Sequence, residues 1–201
     1  MRLAALAVTS LLTLSSFAFA ESLEVSPEPI FNGKDLSGWK AAADNPFWKV
    51  VDGVLVGQND EGLKGNVLFT EKSYHDFVFE CEVRWEGHID SGVMLRKPEL
   101  QCQIGISGSL KKDMTCSFYV GKGGYPEAGQ AKGKDEVLKL GDWNKIRIEA
   151  RGNTFKVSLN GKLVTEFTDA TYAEAAPLGL QIHPKLPMKV EYRNIRAKAL
   201  D

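Results

Sequence analysis

The feature that most constrains this chain is the period-two patterning from His88 to Ser107, HIDSGVMLRKPELQCQIGIS. Ile89, Ser91, Val93 and Leu95 share one parity; Asp90, Gly92, Met94 and Arg96 share the other. After a break at Lys97-Pro98-Glu99, Leu100, Cys102, Ile104 and Ile106 alternate against Gln101, Gln103 and Gly105. Successive side chains of a strand point to opposite faces, so the pattern predicts two half-buried β-strands. Their apolar parity must face a core. Their polar parity sets Asp90, Arg96, Gln101 and Gln103 on one sheet face, where an active site is expected.

The pattern recurs along the chain. Trp48 to Val56 reads as a hairpin turning at Asp52-Gly53, and Thr154 to Phe167 as another turning at Asn160-Gly161. Phe77, Phe79, Cys81, Val83 and Trp85 alternate with Val78, Glu80, Glu82 and Arg84. Val67–Thr70, Thr115–Gly121, Trp143–Arg151, Leu178–His183 and Met188–Ile195 add further strands. No stretch sustains a helical period, residues 127–138 coming nearest to one. Many short strands with turn residues between them predict an all-β sandwich or barrel. Residues 121–134, GKGGYPEAGQAKGK, read instead as a long mobile loop, a setting in which functional residues are common.

The chain opens MRLAALAVTSLLTLSSFAFA: one Arg, an apolar run, then Ala18-Phe19-Ala20. That is the layout of a secretory signal peptide. Export to the periplasm or beyond is expected, with cleavage near Ala20 and residues 21–201 forming one domain. The apolar run is too short for a good membrane span, and no later stretch is long enough. A net charge of −1 with no dense basic run argues against a nucleic-acid surface. Cys81, Cys102 and Cys116 fit no zinc-ligand spacing. Parity reads Cys81 and Cys102 as small buried hydrophobes. An odd count leaves at least one thiol unpaired within a chain, and whether Cys102 and Cys116 pair is left open.

Several segments together resemble one family. They are FNGKDLSGW at Phe31–Trp39, the Asp-Gly hairpin after Trp48, SGVMLR at 91–96 and QCQIGIS at 101–107. Gly141-Asp142-Trp143-Asn144, Leu159-Asn160-Gly161, Gly179-Leu180-Gln181-Ile182-His183 and Tyr192-Arg193-Asn194-Ile195 complete the set. Their order and spacing resemble the 3-keto-disaccharide hydrolase domain family over about residues 28–200. The resemblance implies a concanavalin A-like jelly-roll β-sandwich of two antiparallel sheets, usually in exported bacterial proteins, with a saccharide groove on the concave sheet. Many members carry a Glu two residues before the central Gln-Ile; here that position is Gln101, while Gln103 and Ile104 match.

The resemblance also implies chemistry. A 3-keto sugar has an acidified C2–H, so a base can remove that proton and the C1 glycosidic oxygen can leave by β-elimination. Such a reaction needs a base, a donor or cation at the developing enolate, and an acid for the leaving oxygen. Histidine is the side chain best suited to take a proton near neutral pH, which nominates His183 as base. Arg96 is the expected enolate partner, and Glu127 or Glu82 the acid. Gln101, Gln103, Tyr119, Gln181 and Asp90 are expected to hold the sugar, with Tyr125 and Lys132 of the long loop. No organic cofactor is called for; a divalent ion such as calcium stays open, with no ligand motif to mark its place. A carbohydrate is the expected substrate, supplied by a sugar 3-dehydrogenase acting upstream. Two other readings stay open: a conventional glycoside hydrolase using Glu80 and Glu82, and a carbohydrate-binding module, whose sugar platforms are aromatic.

Overall fold

The computed structural model describes residues 25–200. The reading of residues 1–20 as a signal peptide therefore lies outside the described residues. Thirteen strands run in chain order: β1 (Glu28–Pro29), β2 (Trp48–Val51), β3 (Val54–Gln58), β4 (Asn66–Tyr74), β5 (Phe77–Trp85), β6 (Asp90–Arg96), β7 (Leu100–Gly105), β8 (Phe118–Tyr119), β9 (Asn144–Arg151), β10 (Thr154–Leu159), β11 (Lys162–Thr168), β12 (Ala176–Ile182) and β13 (Lys189–Ala199). Three single-turn 3-10 helices lie between β8 and β9, at Gly121–Gly123, Glu127–Gly129 and Lys134–Glu136.

The strands form two antiparallel sheets. The larger is ordered β11-β10-β9-β5-β13-β3-β2, with β1 beside β13; the smaller is ordered β4-β12-β6-β7-β8. The inner faces are the apolar parities read from the sequence. Phe77, Phe79, Val83, Ile146, Ile148 and Phe155 come from the larger sheet, and Leu68, Val93, Leu100, Ile104, Phe118 and Leu180 from the smaller. All are essentially inaccessible to solvent. Burying each contributes about 1.5–3 kcal/mol by the usual area scale. A polar contact also crosses the core, between the Ser91 and Tyr192 hydroxyls at 3.2 Å.

Both sequence-predicted hairpin turns are present. Asp52 and Gly53 have φ of 50° and 80°, and Asn160 and Gly161 have φ of 50° and 88°. Two consecutive positive φ values match the right-handed twist of the flanking strands, which is why Asp-Gly and Asn-Gly serve there.

Three expectations need correcting. The strand predicted over Thr115–Gly121 is paired as strand only at Phe118–Tyr119. The segment expected to be a mobile loop is instead a packed strap. The Ala131 amide donates to Ser117 Oγ at 3.0 Å, the Lys132 amide donates to Val164 O at 2.8 Å, and Gly129 is buried against Phe118 and Phe167. Finally, Glu82, expected as an acid in the same reaction, does not share a face with Asp90 and Gln101, because β5 belongs to the larger sheet. Alternation assigns a residue to one face of its strand and is silent about the sheet that strand joins.

Candidate functional site

The outer face of the smaller sheet carries the candidate site. Register builds it in rows. Gln181, Gly92 and Gln103 lie opposite one another on β12, β6 and β7. In the next row Gly179 pairs with Met94, Met94 with Gln101, and Gln101 with Tyr119 of β8. Glycine at 92 leaves a trough that the Gln101 side chain fills: a Cβ there would sit 2.2 Å from Gln101 Nε2.

The polar groups of this face are linked in a chain of hydrogen bonds. Gln101 Nε2 shares its two hydrogens among three acceptors, Gln103 Oε1 at 2.9 Å, Gln181 Oε1 at 3.0 Å and Ser91 O at 3.2 Å. Gln103 Nε2 donates to Asp90 Oδ1 at 2.8 Å, and the Gly108 amide donates to Asp90 Oδ2 at 2.7 Å. Asp90 fixes the polarity of this chain. A carboxylate only accepts, so Gln103 must turn its NH2 toward Asp90 and its carbonyl toward Gln101. Gln101 then donates in turn, and its own carbonyl is left for a ligand.

These groups floor a cleft of about 490 Å³. It gathers Asp90, Gln101, Gln103, Tyr119, Tyr125, Gln181 and His183, seven of the eleven residues nominated from sequence. His183 follows β12 and is half-buried. Its Nδ1 lies 2.8 Å from Pro184 O. A carbonyl can only accept, so the neutral ring holds its proton on Nδ1 and presents Nε2 as a free lone pair. Tyr119 and Tyr125 form one wall, with ring centroids 5.2 Å apart. Burial pushes the Tyr125 phenol up to about 12; the Ser107 hydroxyl opposes this, and Asp90 and Tyr119 add to it. Burial, Glu99 and Asp90 push Tyr119 up as well. Both phenols therefore remain protonated hydrogen-bond donors at neutral pH.

The other four nominated residues lie elsewhere. Glu82 is on the outer face of the larger sheet, where Arg193 Nε donates to it at 2.6 Å and Asn194 Nδ2 at 2.9 Å. Arg96 is turned away by a register shift between Met94 and Arg96, which breaks the alternation before it reaches the Arg. Its buried guanidinium donates to Asp76 Oδ1 at 2.8 Å, Gly152 O at 2.8 Å and Tyr172 O at 3.0 Å, and lies over the Phe155 ring. Glu127 and Lys132 are exposed on the strap and do not line the cleft. Glu80, the other residue of the paired-carboxylate reading, is bound by Arg147 and Lys145 on the same outer face as Glu82.

Conversely, sequence reasoning nominated none of His88, Glu99, Ser107, Ser109, Lys111 and Lys185, and all six line the cleft. They sit on connections flanking β6, β7 and β12, where alternation has ended. Lys111 and Lys185 both have positive φ, 54° and 66°, and mark tight turns beside the cleft. Among the described residues, no three His, Cys, Asp or Glu side chains come together as metal ligands, and no helix is long and apolar enough to cross a membrane.

Two antiparallel sheets with a polar cleft on the outer face of one define a concanavalin A-like jelly roll of the carbohydrate-active, hydrolase-like class. Within that class, the chain belongs to the 3-keto-alpha-glucoside-1,2-lyase-like domain family, whose model matches residues 26–198. No curated protein matches it in sequence. Among solved structures, a protein of Parabacteroides distasonis provisionally assigned as a glycosyl hydrolase superposes with a TM-score of 0.65 at 22% identity, covering 86% of this chain and 93% of that one. The carbohydrate-binding module CBM66 of Bacillus subtilis superposes with a TM-score of 0.62 at 16% identity, covering 82% and 98%. The kappa-carrageenase of Pseudoalteromonas carrageenovora gives 0.56 at 10% identity, covering 85% and 92%. At such identities the likeness bears on the fold alone.

Proposed function

We propose that the cleft cleaves a 3-keto-glycoside by base-assisted β-elimination, with His183 as the base. The observation that carries this reading is the tethered imidazole: Nδ1 is committed to Pro184 O, so Nε2 faces its surroundings with a lone pair at the edge of the cleft. In the proposed reaction Nε2 takes the C2 proton of the keto sugar. Negative charge develops on the 3-oxygen, and the C1–O bond then breaks. Lys111, Lys185 and the two protonated phenols are the donors and cations that line the same cleft, replacing the roles first sought in Arg96, Glu82 and Glu127. They suit stabilisation of the enolate oxygen and protonation of the leaving oxygen. The Asp90–Gln103–Gln101–Gln181 chain holds sugar hydroxyls in a fixed donor and acceptor pattern. Water adding back to the elimination product gives net hydrolysis; its absence gives a lyase. A keto substrate requires an oxidation at C3 beforehand, the work of a sugar 3-dehydrogenase. The signal-peptide-like pattern of residues 1–20 supports the further part of this reading, export of a mature domain of residues 21–201.

The test is release of a chromogenic leaving group from a 3-keto-glucoside and from the ordinary glucoside. Wild type is expected to act on the keto substrate only, and His183→Ala to lose about 10²–10⁴-fold in kcat. Equal release from both substrates, or an unaffected variant, would overturn the proposal. The close Tyr119–Tyr125 pair favours one second reading, a binding module, because aromatic side chains also make sugar platforms. No release from either substrate, with saturable oligosaccharide binding, would establish it.

A further inference from the structure

The three thiols, Cys81, Cys102 and Cys116, are free in this structure and fully buried. Two of them belong to one local arrangement. Cys102 lies on the core face of β7, opposite Phe118 of β8. Cys116 lies just before β8, and its amide donates to Gln103 O at 2.8 Å. Its φ is 65°, left-handed backbone that few residues other than glycine adopt. The Gln103 amide in turn donates to Ser117 O at 2.9 Å, so that irregular turn holds Cys116 beside the residue next to Cys102, with both side chains buried in the same interior. Cys81 faces the same interior from β5 of the opposite sheet.

We propose that Cys102 and Cys116 are a disulfide site, joined by oxidation as the chain folds, and that the bond staples one wall of the cleft. Two S–H bonds break and one Sγ–Sγ bond forms. Two electrons and two protons pass to a disulfide-bearing oxidant, protein or small molecule, which is reduced to its thiols. The exchange proceeds through a thiolate attacking that oxidant, then the second thiolate attacking the mixed disulfide. In the finished fold neither sulfur reaches solvent, and contact with Cys102 together with burial pushes the Cys116 thiol well up. The bond therefore forms before the two sheets close, and is then shielded from reductants.

The bond bears on the cleft because of what lies between the two cysteines. Gln103, Ser107, Gly108, Ser109 and Lys111 all belong to that loop and all line the cleft. The Gly108 amide holds Asp90, the group that sets the polarity of the amide chain. Closing the loop removes freedom from the unfolded chain and fixes this wall against β7.

The experiment refolds the full chain from the reduced, denatured state, once in a glutathione redox buffer and once in excess reductant. Each product is unfolded in alkylating reagent, digested without reduction and mapped by mass spectrometry. The oxidised product is expected to show the Cys102 peptide linked to the Cys116 peptide with Cys81 alkylated. Its midpoint of thermal unfolding should exceed that of the reduced product by roughly 5–10 °C. Cys81→Ser, which leaves the pair intact, should keep both the link and the shift. Three alkylated thiols after oxidative refolding, or a link that includes Cys81, would overturn the proposal.

Discussion

The outer faces of the two sheets are both polar, and they differ in how their polar groups are spent. On the larger sheet every acidic group of the central strands meets a cation. Glu80 meets Arg147 and Lys145, Glu82 meets Arg193, and Glu191 meets Arg84 and Lys189. Trp143 lies between Arg84 and Arg193, with guanidinium carbons 4.6 and 4.1 Å from its ring centroid. That face is closed on itself. On the smaller sheet one carboxylate orients a row of amides, and the far end of the row is left unspent. Charge density alone would pick the larger sheet as the site; counting uncommitted donors and acceptors picks the smaller.

Arg96 gives the sharpest way to break the comparison, because parity placed it in the cleft and the structure places it under the sheet. Its guanidinium ties β6 to Asp76, to the β9–β10 turn at Gly152 and to Tyr172. Arg96→Ala leaves two carbonyls without their donor and a cavity where the buried side chain stood, while Asp76 keeps the Gly152 amide and His75; the variant should lose about 2–5 kcal/mol of stability in denaturant unfolding. A cleft Arg would behave the opposite way, with activity lost and stability kept.

The same residue shows what was and was not legible in the sequence. Alternation identified the core of nearly every strand, and the Asp-Gly and Asn-Gly pairs located both hairpins, because these signals depend on local geometry. The amide row was legible for the same reason: Asp90, Gln101, Gln103 and Gln181 each sit opposite an apolar neighbour. What failed was longer in range. Glu82 sits on the same kind of parity as Gln101, yet strand pairing carried β5 into the other sheet. A single register shift reversed Arg96. Lys111 and Lys185 stand in turns, where no period exists to point them anywhere.

Asp90→Ala and Glu82→Gln form the next contrast. Removing the Asp90 carboxylate leaves the Gln103 amide and the Gly108 N–H without an acceptor, at a cost of about 1–3 kcal/mol. The Gln103 and Gln101 amides become free to flip, so turnover of the keto substrate should fall roughly 5- to 100-fold, in step with that energy. Glu82→Gln touches only the closed face and should leave kcat and KM unchanged. Equal losses in the two variants would mean that the outer face of the larger sheet takes part in the reaction.

The smallest effect expected is the pH dependence of the closed face. Burial works against ionisation of Glu80, Glu82 and Glu191, but their hydrogen bonds and neighbouring cations outweigh it and hold all three below the usual carboxylate range. A carboxyl with a lowered folded pKa binds its proton more readily in the unfolded chain. Its stabilising contribution is therefore complete above the unfolded value of about 4.3, and is lost as pH falls through the lower folded value. These groups are partly exposed, so each pair contributes no more than about 1 kcal/mol. The unfolding midpoints of wild type and Glu82→Gln should thus differ slightly at pH 7 and converge as the pH drops below 4. In the cleft, Asp90 is held instead by two neutral donors, the Gln103 amide and the Gly108 N–H. A gap between the two midpoints that persisted in acid would show that Glu82 stabilises the fold through its hydrogen bond to Asn194 rather than through charge, and the closed face would then resemble the open one.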